Sequence, residues 1–200
     1  MSVKAEQSEA TRERLIAVAR EHFARGGYGA AGTERIVQEA GVTRGALYHH
    51  FHSKEGLFRA VLEEVHTEVG RRVLAEAEAA PGPWEALLAG GRAFLAAATA
   101  PDVQRIMLLD GPAVLGWASW RELDARHSMK ELREHLRCLM ENGVIRAVPL
   151  EALTHLVSGA LNEAALWIAA QENVGAALEE SVKALKVMLG GLKVEVGEGA

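Results

Sequence analysis

Between Thr33 and Phe58 the chain reads TERIVQEAGVTRGALYHHFHSKEGLF, and eight consecutive residues of it supply Thr43, Arg44, Tyr48, His49 and His50. Hydroxyls, a guanidinium and aromatic rings hydrogen-bond to phosphate oxygens and base edges and stack on bases, which is the chemistry of nucleic-acid recognition. A surface helix needs no such set to stay soluble. Catalysis has no comparable support, because no nucleophile elbow, P-loop, dinucleotide glycine fingerprint or HExxH pattern occurs. The histidines at 49, 50 and 52 invite a metal reading. Adjacent helical residues diverge by about 100°, however, and no cysteine or carboxylate stands at ligand spacing beside these. His127 and His135 are too far apart for a simple helical pair. The expectation is a protein that is not an enzyme, without metal or cofactor.

A reading face of this kind must be carried on a helix held by two others. Ile36, Val37 and Ala40 form one inward stripe, and Leu47 with Phe51 form the next, at helical spacing. Gly41 tolerates the left-handed conformation that ends the first helix, and Val42 plugs the space between the two. Thr43 caps the second helix and Ser53 a third. Ahead of them, Leu15, Ile16, Ala19 and Phe23 give a helix from Thr11 to about Arg25, ended by Gly26-Gly27, with residues 1–9 frayed or disordered. Tyr28 then wedges this head together.

The whole chain predicts an all-α fold of 200 residues: alanine and leucine dominate, β-branched runs are scarce and prolines number five. Cys138 is the only cysteine, which excludes an internal disulfide and favours a reducing, cytoplasmic setting. No signal segment and no apolar span of membrane length is present, so no membrane partner is expected. The net charge of -5 conceals an asymmetry: residues 1–60 hold nine Lys and Arg against seven Asp and Glu. A basic head on an acidic body is the direction a DNA-binding protein needs.

Beyond the head, a fourth helix runs from about Lys54 toward Ala77, its first turns on the head and its later turns in the body. APGP at 80–83 breaks the chain before a helix from about Trp84 to Ala98. A short helix from Asp102 to about Leu109 leads to the segment DGPAVLGWASW, followed by one long amphipathic helix to about Asn142, capped by Gly143. Two last helices, about Leu150 to Gln171 and Val174 to Leu189, are apolar enough and carry enough small residues to pair with a second copy as a four-helix interface. The alternative is that they complete the core of a monomer. The division is residues 1–55 for the head and 56–200 for the body.

The residues Thr33, Ile36, Ala40-Gly41-Val42, Thr43, Arg44, Gly45, Leu47, Tyr48, Phe51 and Ser53-Lys54-Glu55 before Leu57-Phe58 resemble the TetR family of bacterial transcriptional regulators. The resemblance covers the head, about a quarter of the chain, and the body only in outline. It implies a three-helix DNA-binding head with a helix-turn-helix, followed by an antiparallel helical body for ligand binding and dimerisation. It further implies a homodimer that binds a palindrome in double-stranded DNA, usually as a repressor released by a small molecule. Thr33 and Thr43 would then donate to phosphates, Tyr48 would reach the backbone or a base edge, and Arg44 and His49 would read bases. His50 would add a phosphate or sugar contact, Lys54 would clamp a phosphate, and Gly45 would let the DNA backbone approach. Val37 and His52 depart from the family's usual residues. For the effector, Phe94, Met107, Leu108, Trp117, Trp120 and Trp167 would form an apolar wall, with Arg105, His155 and Asn162 as its polar contacts. The competing reading is a protein-interaction module that keeps the geometry without recognising DNA.

Overall fold

In the computed structural model, which describes residues 3–194 and side chains from Ala5 onward, every regular element is a helix; the sole β contact among them is an isolated antiparallel bridge, Ile145 with Lys193. The helices are α1 (Val3–Ala30), α2 (Thr33–Glu39), α3 (Arg44–Phe51), α4 (Lys54–Glu78), α5 (Pro83–Ala98) and α6 (Pro101–Val103). A π-helical turn, Gln104–Asp110, comes next. Then follow α7 (Gly111–Leu115), α8 (Trp117–Arg126), α9 (Ser128–Glu141), α10 (Leu150–Ala169) and α11 (Val174–Gly190). None of the described helices is long and apolar enough to cross a membrane.

The chain forms two compact units, one extending to Thr67 with Pro101–Leu123 added, the other made of Glu68–Ala100 and residues 124–194. The expected head boundary at residue 55 therefore falls inside the first unit, where Leu57, Phe58, Val61 and Leu62 of α4 are fully buried. They share that core with Leu15 and Phe23 of α1, Ile36 of α2 and Leu47 of α3, each also fully buried. Burial of side chains this size contributes about 1.5–3 kcal/mol apiece. Phe58 meets Phe23 edge-on at 5.1 Å and Tyr28 at 5.3 Å, so Tyr28 wedges the head as its position after the glycines suggested.

The N-terminal expectation needs correction. Val3 to Glu9 are helical, since Ala, Glu and Gln in this stretch are good helix formers and Arg12 pairs with Glu9 one turn away; Met1 and Ser2 lie outside the described residues. The regular part of α1 stops where predicted, because Gly27 has φ 75° and ψ 169°. The predicted short helix from Asp102 to Leu109 is instead a single α-turn running into the π-helical turn. The single long helix to Asn142 is also two, broken at His127 (φ -109°, ψ -89°). Leu123 and Met129 are both buried. Six residues on a straight helix would put them about 120° apart, so they do not lie on one narrow stripe.

In the second unit α5 packs against α9, α10 and α11. Arg92 on α5 makes a two-pronged ion pair with Glu179 on α11 at 2.5 and 2.8 Å, and Arg133 on α9 reaches Glu151 on α10 at 2.5 Å. Gly143 (φ 66°) ends α9 as expected: its N–H donates to the Met140 carbonyl and that of Val144 to the Leu139 carbonyl, a Schellman motif.

Candidate nucleic-acid interface and body cavity

The turn between α2 and α3 is the same motif. Gly41 (φ 64°) donates to the Gln38 carbonyl and Val42 to that of Val37, while the Thr43 hydroxyl accepts from the Ala46 N–H at 3.2 Å. Leu47 and Phe51 anchor α3 from below. Thr43, Arg44, Gly45, Tyr48 and His49 consequently lie exposed on its outer side, with His50 half-buried at the edge. Thr33, half-buried, opens α2 beside this face. The Arg44 guanidinium stands 5.4 Å from the Tyr48 ring centre and 3.5 Å from its hydroxyl, with Glu34 at 3.9 Å. The hydrogen bond to Tyr48 raises its pKa above the usual guanidinium value, so it stays a cation. The His49 and His50 rings are 5.4 Å apart.

Gly45 has open space around it: an added Cβ would meet only the Thr43 hydroxyl, at 3.7 Å. Nothing in the protein requires glycine there. Lys54 is more engaged than its expected role implied. Its ammonium lies 4.3 Å above the Tyr28 ring and donates to the Tyr28 carbonyl, and burial pulls its pKa down. Tyr28 is held in turn by its N–H, which donates to Asp110 at 2.7 Å.

The chain leaves α3 through a strained corner. His52 has φ 64° and ψ -32°, and the Ser53 N–H donates back to the Phe51 carbonyl at 2.7 Å, forming a γ-turn. The Ser53 hydroxyl then caps α4 by accepting from the Gly56 N–H at 2.9 Å.

The second unit encloses a cavity of about 330 Å³. Val73 and Leu74 of α4, Leu87, Gly90 and Phe94 of α5, Met129 and Leu132 of α9, and Leu161 and Leu185 of the last two helices supply apolar wall. Asp124, Ser128, Glu131, Glu134, His135, Cys138 and Ser158 supply polar groups. Of the nine residues expected to line an effector site, this wall holds Phe94. Arg105, Met107, Leu108, Trp117 and Trp120 belong to the first unit. There the Trp120 indole N–H donates to the Met107 carbonyl at 2.8 Å, its ring covers Gly111, and Arg105 lies against Gly27. Trp117, Trp167 and His155 are exposed, and Asn162 is half-buried outside the wall.

One sequence signal points to the cavity. Gly90 and Gly91 interrupt the middle of α5, where each costs about 1 kcal/mol relative to alanine. A Cβ on Gly91 would stand 2.8 Å from Leu185, so close approach accounts for that glycine. Asp124 is 3% exposed, and the Ser158 hydroxyl lies 3.5 Å from its carboxylate. Among the described residues, no three His, Cys, Asp or Glu side chains are grouped to hold a metal.

Comparison with known proteins gives matches to both the helix-turn-helix region and the helical body. The profile for "Bacterial regulatory proteins, tetR family" matches residues 15–61, and that for "Tetracyclin repressor-like, C-terminal domain" matches residues 84–192. The crystal structure of a TetR-family transcriptional regulator from Pectobacterium atrosepticum is 38% identical, covers 98% of this chain and 99% of its own, and superposes with a TM-score of 0.82. The HTH-type transcriptional repressor Rv1474c of Mycobacterium tuberculosis is 33% identical over 109 residues, 54% of this chain and 57% of that protein. The A-factor receptor protein of Streptomyces griseus is 33% identical over 114 residues, 53% of this chain and 38% of that protein. The chain thus spans about half or less of these two curated relatives. The interaction-module alternative is not favoured by any of these likenesses.

Proposed function

The chain belongs to the TetR family of bacterial transcriptional regulators, and we propose that it is a homodimeric, cytoplasmic repressor that binds a palindromic operator and is released by a small apolar or aromatic effector. The observation that carries the DNA half is the outer side of α3. Its exposed donors and cation surround a glycine that the protein's own packing leaves unconstrained. Arg44 and His49 read base edges, and a bidentate arginine discriminates guanine by about 1–3 kcal/mol. Thr33, Thr43 and His50 fix register on the sugar-phosphate backbone, with Tyr48 on the backbone or a base edge. Gly45 lets a strand approach α3. Lys54 retains two N–H donors for a phosphate after serving Tyr28.

Dimerisation is supported by apolar side chains left exposed on the last two helices: Leu156 at 71%, Trp167 at 46%, Val187 at 78% and Met188 at 51%. Two such helices from each copy make a four-helix interface. A dimer seated across a promoter excludes polymerase without a further contact surface, which favours repression. The effector reading rests on the cavity, whose wall is mainly apolar with a few polar groups.

The deciding experiment is selection of bound duplexes from a random pool by the full chain at near-physiological salt. The expected product is a palindrome with half-sites one helical turn or a multiple apart, about 34 Å per turn. Affinity for it should fall linearly with log salt. A folded dimer, stripped of small molecules, that enriches nothing would defeat the proposal.

A further inference from the structure

Asp110 closes the π-helical turn that follows α6, well apart in sequence from the helix-turn-helix. That turn is anchored within the first unit. Ile106, Met107 and Leu108 are buried, and at its approach Asp102 pairs with Arg20 of α1 at 3.2 Å. The half-buried Asp110 carboxylate is thereby brought against the end of α1, where it accepts the Tyr28 N–H at 2.7 Å. Gly27, at the kink, leaves space for this approach: a Cβ there would stand 3.3 Å from the same carboxylate oxygen.

This bond sets the direction of a peptide. After the non-helical Gly27 the chain starts a fresh turn, the Ala31 N–H donating to the Gly27 carbonyl at 3.3 Å. The first N–H groups of any such turn need partners from outside it. A carboxylate on one of them makes a charge-assisted bond, about twice as strong as a neutral one. With its N–H fixed, Tyr28 presents a carbonyl and a ring in set positions, and Lys54 uses both. Its ammonium donates to the carbonyl and lies 4.3 Å from the ring centre. A lysine on a free stem surrenders rotamer freedom when it grips a phosphate; here the protein has already restricted it.

We propose that Asp110 is a positioning residue for DNA binding: acting through Tyr28 rather than on the duplex, it holds the Lys54 ammonium where it meets a phosphate. This rests on the reading of Lys54 as a phosphate contact. What residue 110 must supply is an accepting oxygen rather than a charge, so asparagine serves and alanine does not.

The test is fluorescence anisotropy of the full chain with a labelled duplex of random sequence, at salt concentrations from about 50 to 200 mM, because each phosphate contact adds about 0.9 to the slope of log affinity on log salt. Lys54→Ala and Asp110→Ala should each lose one such contact, so the advantage of the unaltered chain should shrink about threefold across that range. Asp110→Asn should bind within about twofold of the unaltered chain, and adding Asp110→Ala to Lys54→Ala should change affinity by less than about twofold, since both act through one contact. Additive losses with an unchanged salt slope, the mark of a merely structural role, would overturn the proposal, as would a loss in Asp110→Asn equal to that in Asp110→Ala. If Lys54→Ala leaves the slope unchanged, Lys54 meets no phosphate and the proposal falls with that reading. If it lowers the slope while a folded Asp110→Ala does not, the Lys54 contact stands and the role given to Asp110 is overturned. Asp110→Leu, also without an acceptor, carries the same test where the alanine variant does not fold.

Discussion

Replacing Gly56 with alanine tests the geometry that fixes the reading helix. A Cβ at this position would lie 2.0 Å from the Phe51 carbonyl oxygen and 3.1 Å from its carbon. Real Cβ atoms essentially never approach within 3.0 Å, so about 1 Å of movement is forced. Both contacts are with backbone, so no rotamer change relieves them. The oxygen is also tied by the Ser53 N–H, which prevents it from swinging aside alone. Overpacking of this kind costs about 1–3 kcal/mol, and two rigid backbones place it at the upper end. Alanine recovers up to about 1 kcal/mol of helix preference, leaving a net loss of roughly 2 kcal/mol. For a chain of this size each kcal/mol moves Tm by about 2–4 °C, so the melting temperature followed by circular dichroism should drop by roughly 4–8 °C. Operator affinity should fall as well, since Phe51 is the last residue of α3. An unchanged or raised Tm would refute the reasoning, because helix preference acting alone predicts a gain.

Other expectations follow from neighbouring features. His52→Gly relieves a positive φ and should raise stability by about 0.5–1 kcal/mol, read as an upward shift in the same melt. Combined with Gly56→Ala it should recover more than the sum of the single effects, because both act on the Phe51 carbonyl. Gly45→Ala should leave Tm unchanged or slightly higher, given the open space around it, yet weaken operator binding about tenfold or more in a gel-shift titration. Arg44→Ala should weaken binding and relax preference at one base position by about 1–3 kcal/mol, whereas Lys54→Ala should weaken binding to all duplexes alike and lower the salt slope by about one; competition assays at several salt concentrations distinguish the two.

The head was legible because its signals are local. Gly41 and Thr43 stand at fixed offsets from Val37 and Leu47, and each motif closes within a few residues, so spacing alone reports geometry. The break at His127 carries neither glycine nor proline, so no residue type marks it. The π-helical turn after Val103 likewise has no composition signature. The cavity and the effector wall expected from the sequence differ for another reason. Tryptophans look like ligand wall, but Trp120 spends its N–H on Met107 and its ring on Gly111, while Trp117 lies open at 67%. Whether an apolar stripe meets a void or another stripe depends on interhelical distance, which only tertiary packing sets.

The residues that line the cavity all belong to one compact unit of the chain. A dimer would then carry one such lining in each copy, and saturation should occur at one effector per chain. The shape of the dose–response curve becomes a question of logic rather than of affinity. Mixed dimers in which one copy has its cavity filled by a bulky substitution would reveal whether release of an operator obeys an "either" rule, giving a sensitive switch, or a "both" rule, giving a threshold.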